Sequence, residues 1–322
     1  MSTVFSQNDS RGGRAAADEG GVRPLPELLA PAGSLEVLKY AVNAGADAVY
    51  FGGKTFNARQ GAANFGDEEI REAVLYCAPY GVKTYLTLNT LIKQEEWDLL
   101  CRFADRVLPL GVTGLIMQDL GAASYVKRRF PEVQIHASTQ MSVHNKEGAL
   151  WLREQGYKRV VLSRELPLEE AARIGRETGI ETEIFIHGAL CYSYSGQCLM
   201  SSMIGGRSGN RGRCAQPCRL RYGLNEEEQK RHYLNLKDIC TIDFVKEICE
   251  SGAASLKIEG RLKGAAYVAG VTGAYRRALD YYRETGKNYA PSAEERRELA
   301  LLFNRGGFSK GYLSGKEDGM IC

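Results

Sequence analysis

Five of the nine cysteines, Cys191, Cys198, Cys214, Cys218 and Cys240, fall within fifty residues, while Cys77, Cys101, Cys249 and Cys322 are scattered. Soft thiolates gathered in one stretch suit a metal ion or an iron–sulfur cluster, or disulfides where the compartment oxidises. The chain starts Met-Ser-Thr-Val-Phe-Ser-Gln, without the charged start, apolar core and small-residue cleavage site of a secretory signal. That points to a reducing cytoplasm, and so to a metal or cluster site ahead of a disulfide framework. Zinc is the weaker metal, because the spacings are wide and lack paired Cys-x2-Cys knuckles. Packed or redox-active thiols are the remaining reading.

Other chemistry is thinly represented. There are four histidines, His136, His144, His187 and His232, with no His-Glu-x-x-His helix and no Gly-x-Ser-x-Gly elbow. A peptide hydrolase needs a nucleophile with its base, or a metal with an activated water, and neither stands out as a motif. Arg207, Arg211, Arg213, Arg219 and Arg221 make the cysteine region locally cationic, with Tyr192, Tyr194 and Tyr222 available to stack on a splayed base. RNA could dock there through Arg207, Arg211 and Arg213; the plainer reading is that arginines solvate a glycine-rich loop and shield the cysteines. The chain as a whole names no partner, since 42 Lys and Arg against 39 Asp and Glu leave a net charge of +3. Hydrophobic residues at 44% and charged residues at 25%, with no apolar run near the roughly 20 a membrane span needs, exclude fibrous, disordered and membrane classes.

The elements that must position these residues read as α/β. Short apolar runs alternate with helical stretches from Pro24 onward: Glu27 to Ala30, Ala48 to Phe51, Lys83 to Leu88, Gly114 to Met117, Gln134 to Ala137, Arg159 to Leu162, Glu183 to Ile186 and Ser255 to Ile258. Eight such strands predict a closed TIM-like (β/α)8 barrel. A doubly wound open sheet is the rival, weakened by the lack of a nucleotide-type glycine fingerprint after the first strand. Ser34 and Asp67 are placed to cap helices, and Gly45, Gly111 and Gly156 recur in helix-Gly-strand turns. The alternation breaks between Ile186 and Ser255, which predicts a cysteine-rich insertion, residues 188–250, between strands 7 and 8 at the barrel mouth. Residues 1–23 read as a disordered leader, 24–290 as the barrel domain with its insertion, and 291–322 as a C-terminal extension. Side chains just after each strand point into the mouth, which nominates Asn89, Gln118, Asp119, His136, Ser138, Gln140, Arg164, Glu165, His187, Glu259 and Arg261. His136, His187 and Glu259 are the candidate catalytic groups among them; a hydrogen-bonded core histidine and a Glu259–Arg261 rim ion pair are the bland alternatives.

Six segments resemble the U32 peptidase family of collagenase-like proteins. They are the run from Glu183 and Phe185 through His187, Gly188, Cys191, Gly196 and Cys198 to Ser201; Pro26-Glu27-Leu28-Leu29-Ala30-Pro31-Ala32-Gly33; Ala46-Asp47-Ala48-Val49-Tyr50-Phe51-Gly52-Gly53; Asn210-Arg211-Gly212-Arg213-Cys214-Ala215-Gln216-Pro217-Cys218-Arg219; Leu236-Lys237-Asp238; and Leu256-Lys257-Ile258-Glu259-Gly260-Arg261. The resemblance covers about residues 24–315. It implies the family's older label of protease or collagenase, and also RNA hydroxylation, which suits these residues better. On the second reading the protein supports prephenate-dependent C5 hydroxylation of a tRNA wobble uridine. The family pattern then implies a four-iron four-sulfur cluster on Cys191, Cys198, Cys214 and Cys240, with Cys218 as the alternative to Cys214. Carboxylates of a prephenate-derived co-substrate would suit Arg59, Arg164 or Arg261, with Asn89, Gln118 and Gln140 as further substrate contacts. A non-catalytic RNA-binding or assembly component is the third reading. Family members continue past the equivalent of Lys316 into a β-rich segment, so the resemblance also implies a shortened extension: either the chain is a fragment, or a separate C-terminal module or partner protein completes it.

Overall fold

The computed structural model describes residues 23–223, 229–315 and 319–322. The leader expected over 1–23 therefore lies outside the described residues, Arg23 excepted. Seven strands follow in order: β1 (Glu27–Pro31), β2 (Ala48–Gly52), β3 (Lys83–Leu88), β4 (Gly114–Met117), β5 (Gln134–Ala137), β6 (Arg159–Val161) and β7 (Glu181–Gly188). Then come a short β8 (Asp238–Cys240) and β9 (Ser255–Ile258). Each of β1 to β6 pairs in parallel with the next, and β9 pairs in parallel with both β7 and β1. The eight parallel strands thus close into the expected (β/α)8 barrel.

Helices α1 (Leu35–Asn43), α2 (Asp67–Cys77), α3 (Trp97–Val107), α4 (Leu120–Arg129), α5 (Lys146–Glu154) and α6 (Leu168–Thr178) follow the first six strands. Between β7 and β9 lie α7 (Met200–Gly205) and α8 (Val245–Glu250), and α9 (Ala265–Thr285) and α10 (Ala293–Leu302) follow β9. Both faces of each barrel strand are covered, which is why the strands read as apolar runs. Leu28, Val49, Leu86 and Leu115 pack outward against Leu38, Ile70, Leu100 and Val126 of the helices. Leu29, Tyr50, Tyr85, Ile116, Val161 and Phe185 form a separate inner cluster, as the two-residue strand period requires.

Local chemistry sets the boundaries. Ser34 caps α1, its hydroxyl accepting from the Val37 N–H. At α2 the expectation fails: Gly66 is the cap, and the Glu69 carboxylate accepts from its N–H at 2.8 Å. Asp67 is instead the first helical residue and pairs with Arg106 at 2.8 Å. Gly45, Gly111 and Gly156 sit at φ of +92°, +95° and +77°, the left-handed turn that ends a helix and admits a strand.

At the mouth, β8 pairs antiparallel with the end of β7, His187 opposite Cys240 and Gly188 opposite Ile239. Strand β10 (Phe308–Ser309) runs parallel to β8, and Leu236 bridges to Ile321. Leu190, Leu236, Ile239 and Met320 bury one another beneath this small sheet. No helix among the described residues is long and apolar enough to cross a membrane.

Candidate active site at the barrel mouth

A cavity of about 350 Å³ lies between the strand ends and the cysteine-bearing connection that follows β7. The barrel contributes Tyr50, Arg59, Asn89, Gln140, Arg164, Phe185, Lys257, Glu259 and Arg261 to its wall, and the connection contributes Cys191, Cys198, Arg207, Cys214 and Cys218. One carboxylate serves two guanidiniums: Glu259 Oε2 lies 3.1 Å from Arg59 and 3.2 Å from Arg164. Burial pulls the Glu259 carboxyl up, but Arg59, Arg164, Lys257 and Arg261 outweigh it and hold it below its ordinary value. Arg164 also stacks on Phe185, 4.0 Å from the ring centre, and its Nε is buried without a partner.

Arg261 is 2% exposed, and no carboxylate of the described residues pairs with it. It donates only to neutral oxygens, of Thr87 at 3.0 Å, Asn57 at 3.0 Å and Asn64 at 2.6 Å, and its Nε is buried without a partner. Burial, then the like charge of Arg59, pushes it down to about 10. The seat is purpose-shaped, because a Cβ on Gly52 would collide with the Arg261 guanidinium. Sequence reasoning missed Asn57, Asn64 and Gly52, which act on a residue some two hundred positions away. It also missed Lys257, whose ammonium lies 2.7 Å from Glu183 and 4.3 Å from the Tyr50 ring centre. A signal for Lys257 existed: it stands between Leu256 and Ile258 on β9, so alternation turns it inward while its apolar neighbours face the helices.

Cys191, Cys198, Cys214 and Cys218 share the cavity wall, whereas Cys240 does not. On β8 Cys240 is drawn toward the Tyr275 hydroxyl, 4.0 Å away, and burial pushes its thiol up. The pairing of β8 with β7 puts it opposite His187, beside Tyr275 of α9. Burial raises the Cys218 thiol, and the neighbouring Cys191, Cys214 and Cys198 add to it. The Gln216 N–H donates to Cys214 Sγ at 3.3 Å. Among the described residues no three His, Cys, Asp or Glu side chains are close enough to hold a single metal ion.

The two histidines nominated for catalysis lie off the wall. His136 is buried inside the barrel against Tyr85, both ring nitrogens unpartnered, and burial followed by Arg159 holds it well below its ordinary value. His187 is displaced by a register irregularity between Phe185 and His187. It packs among Tyr267, Tyr275 and Phe308, where burial pushes it down to about 3. Gln118 sits behind the wall and donates to the Gln140 carbonyl at 3.4 Å, while Gln140 donates to the Asn89 carbonyl at 3.0 Å. Of the three nominated RNA-docking arginines, Arg207 and Arg213 are exposed, whereas Arg211 pairs with Glu96 and donates to the Leu91 carbonyl. Ser163, His144 and Glu165 imitate a hydrolytic triad, with Ser163 Oγ 3.3 Å from His144 Nδ1 and Nε2 3.3 Å from Glu165. The imitation fails because Nδ1 faces the Ser142 carbonyl at 2.7 Å, so it carries a proton and cannot take one from Ser163.

Fold and wall together define a (β/α)8-barrel protein whose mouth sets an excess of guanidinium charge beside a group of thiols. The chain belongs to peptidase family U32, whose family model matches residues 33–320. It is 39% identical over 291 residues to tRNA hydroxylation protein P1 of Bacillus subtilis, covering 87% of this chain and 69% of that one. It is 38% identical over 277 residues to the 23S rRNA 5-hydroxycytidine synthase of Escherichia coli, covering 84% of this chain but only 42% of the relative. It is also 35% identical over 313 residues to a protein of Porphyromonas gingivalis named collagenase, with 91% and 74% covered.

Proposed function

We propose that this chain is an RNA-modifying hydroxylase that acts on a pyrimidine, with C5 of a tRNA wobble uridine as the target. The observation that carries the reading is the single cavity wall on which the thiols meet the cationic cluster. A peptidase gains nothing from such a wall, and the one triad-like group has its histidine proton in the wrong place. The names of the Bacillus subtilis and Escherichia coli relatives support the reaction class.

Four thiols on one cavity wall, one of them accepting an N–H, are a donor set that suits an iron–sulfur cluster. Cys191, Cys198, Cys214 and Cys218 would hold it, and it would supply one-electron chemistry. The chain's own part is to bind and orient. Arg59, Arg164 and Arg261 receive the carboxylates of a co-substrate, prephenate being the one the reading requires, and the Phe185 and Tyr50 rings back Arg164 and Lys257 on the same wall. Asn89 and Gln140 fix the loops that carry the wall, the former by accepting from the Ala58 N–H at 3.0 Å. The test is nucleoside analysis of tRNA and ribosomal RNA from a strain lacking the gene, complemented with wild type or Arg261→Met. Loss of a 5-hydroxypyrimidine, restored by wild type only, is expected. An unchanged RNA profile, with gelatin cleaved by the purified protein, would return the peptidase label; RNA bound but unmodified would leave a binding component.

A further inference from the structure

The wall of the cavity has an outer side that the proposed chemistry does not use. Helix α7 turns Ser201 inward, buried and lining the cavity, where its hydroxyl accepts from the Ala215 N–H at 2.9 Å. Its apolar side chains face solvent: Met203 is 83% exposed, Ile204 69% and the preceding Leu199 58%. Large apolar side chains so exposed on a helix at a cavity rim contribute nothing to the core and mark a contact surface. Their surroundings decide the partner. From His187 to Gly223 the chain has five arginines and no Asp or Glu. Arg211 and Arg219 are held by protein partners and Arg221 reaches His232, which leaves exposed Arg207 and Arg213 just past the Gly205-Gly206 turn that ends α7. Arg207 Nε donates to the Arg213 carbonyl at 3.1 Å, which ties the two arginines into one patch, and Arg207 also lines the cavity.

We propose that Met203 and Ile204 form a wedge that enters a base step of a folded RNA loop and turns the neighbouring base into the cavity, while Arg207 and Arg213 hold the flanking phosphates. Apolar wedges of Met, Ile and Leu set among basic side chains are a general means of unstacking bases. Chemistry on a base needs that base out of its stack. The wedge stands next to the cavity that would receive it, and the exposed arginines beside it favour a polyanion over a neutral protein surface. The inference rests on the RNA reading above.

The test uses the purified full chain and a tRNA anticodon stem-loop carrying 2-aminopurine beside the wobble position. This probe is quenched while stacked, so it reports unstacking whether or not any reaction follows. Wild type is expected to bind and to raise the fluorescence several-fold. Met203→Ser with Ile204→Ser should abolish the rise and weaken binding by less than about tenfold, because the phosphate contacts remain. Met203→Leu with Ile204→Leu should retain the rise. A double serine variant that brightens the probe like wild type overturns the wedge, as does wild type that binds without brightening it. A change in oligomeric state by light scattering, with fluorescence unaltered, would make the patch a protein interface and also overturn it. No stem-loop binding by wild type at all would instead fail the RNA reading.

Discussion

Glu259→Gln removes the one carboxylate shared by Arg59 and Arg164 and keeps the shape of the side chain. The carboxylate is 13% exposed, Arg164 10% and Arg59 35%, so the Arg164 pair is the drier and the Arg59 pair the more screened. Removing one partner of a buried ion pair costs about 3–5 kcal/mol, because the other charge is left without compensation. Solvent around Arg59 puts the expectation near the lower end. Unfolding entropy of ~2.1 cal/mol/K per residue over 322 residues turns that loss into a fall in Tm of about 4–7 °C. The informative part is the rescue. A small dianion such as malonate should occupy the vacated charge and restore about 2.7 kcal/mol at a hundred times its Kd, whereas neutral malonamide should restore nothing. Thermal unfolding of both proteins across a malonate series is the assay. If the Glu259→Gln variant is as stable as wild type, and indifferent to malonate, the claim that this mouth is short of negative charge is refuted.

Three further outcomes follow from the geometry. His187 is held near 3 against an ordinary 6.5, so the unfolded chain takes its proton first as pH falls. Stability present above pH 6.5 is therefore lost between 6.5 and about 3, at ~1.4 kcal/mol per pH unit per proton. Urea unfolding from pH 7 to 5 should show a slope smaller by one proton in His187→Gln, and an unchanged slope would mean that His187 is not a buried neutral group. Iron and sulfide content after anaerobic purification should fall further in Cys218→Ser than in Cys240→Ser; the reverse ranking would return the fourth ligand to β8. Replacing Arg207 and Arg213 by Ala should lower the salt dependence of RNA binding by about one unit per lost phosphate contact at unchanged Tm, while Arg211→Ala should lower Tm and leave the salt slope alone.

The barrel was legible because its signals are local and redundant. Strands buried on both faces must be apolar throughout, and Gly45, Gly111 and Gly156 mark where helices hand over to strands. Glu259 and Arg261 were legible because they directly follow β9, and residues just past a barrel strand line its mouth. Side chains beyond an irregularity were not. His187 follows a register shift in β7 that no residue type announces, so alternation assigned it to the wrong face. His136 faces the barrel axis as expected but sits below the mouth, and strand position does not reveal depth. The division among the arginines and cysteines depends on distant partners: Glu96 engages Arg211, and the β8–β7 pairing sets Cys240 opposite His187, off the cavity wall that the other four thiols share.

The charges along the barrel axis form two layers that obey opposite rules. At the floor, Glu27 and Glu183 meet Arg159 and Lys257, with Arg159 2.6 Å from Glu27 and 3.3 Å from Glu183 and Lys257 2.7 Å from Glu183. Two buried carboxylates against two buried cations, flanked by the more exposed Lys83 on Glu27 and Glu181 on Arg159, is the balance that burial demands. At the mouth, Arg59 and Arg164 share Glu259, while Arg261 is sunk among neutral oxygens with an unpartnered Nε. The balanced floor shows that this scaffold can accommodate acidic partners on its inner face, so the deficit above it does not follow from lack of room or from the strand pattern. A buried cation whose seat is shaped by Gly52, Asn57 and Asn64 yet left without a counter-charge is stable at a cost. An anion arriving from outside would offset that cost, which is the physical reason the proposed function places the co-substrate carboxylates at the mouth rather than at the floor.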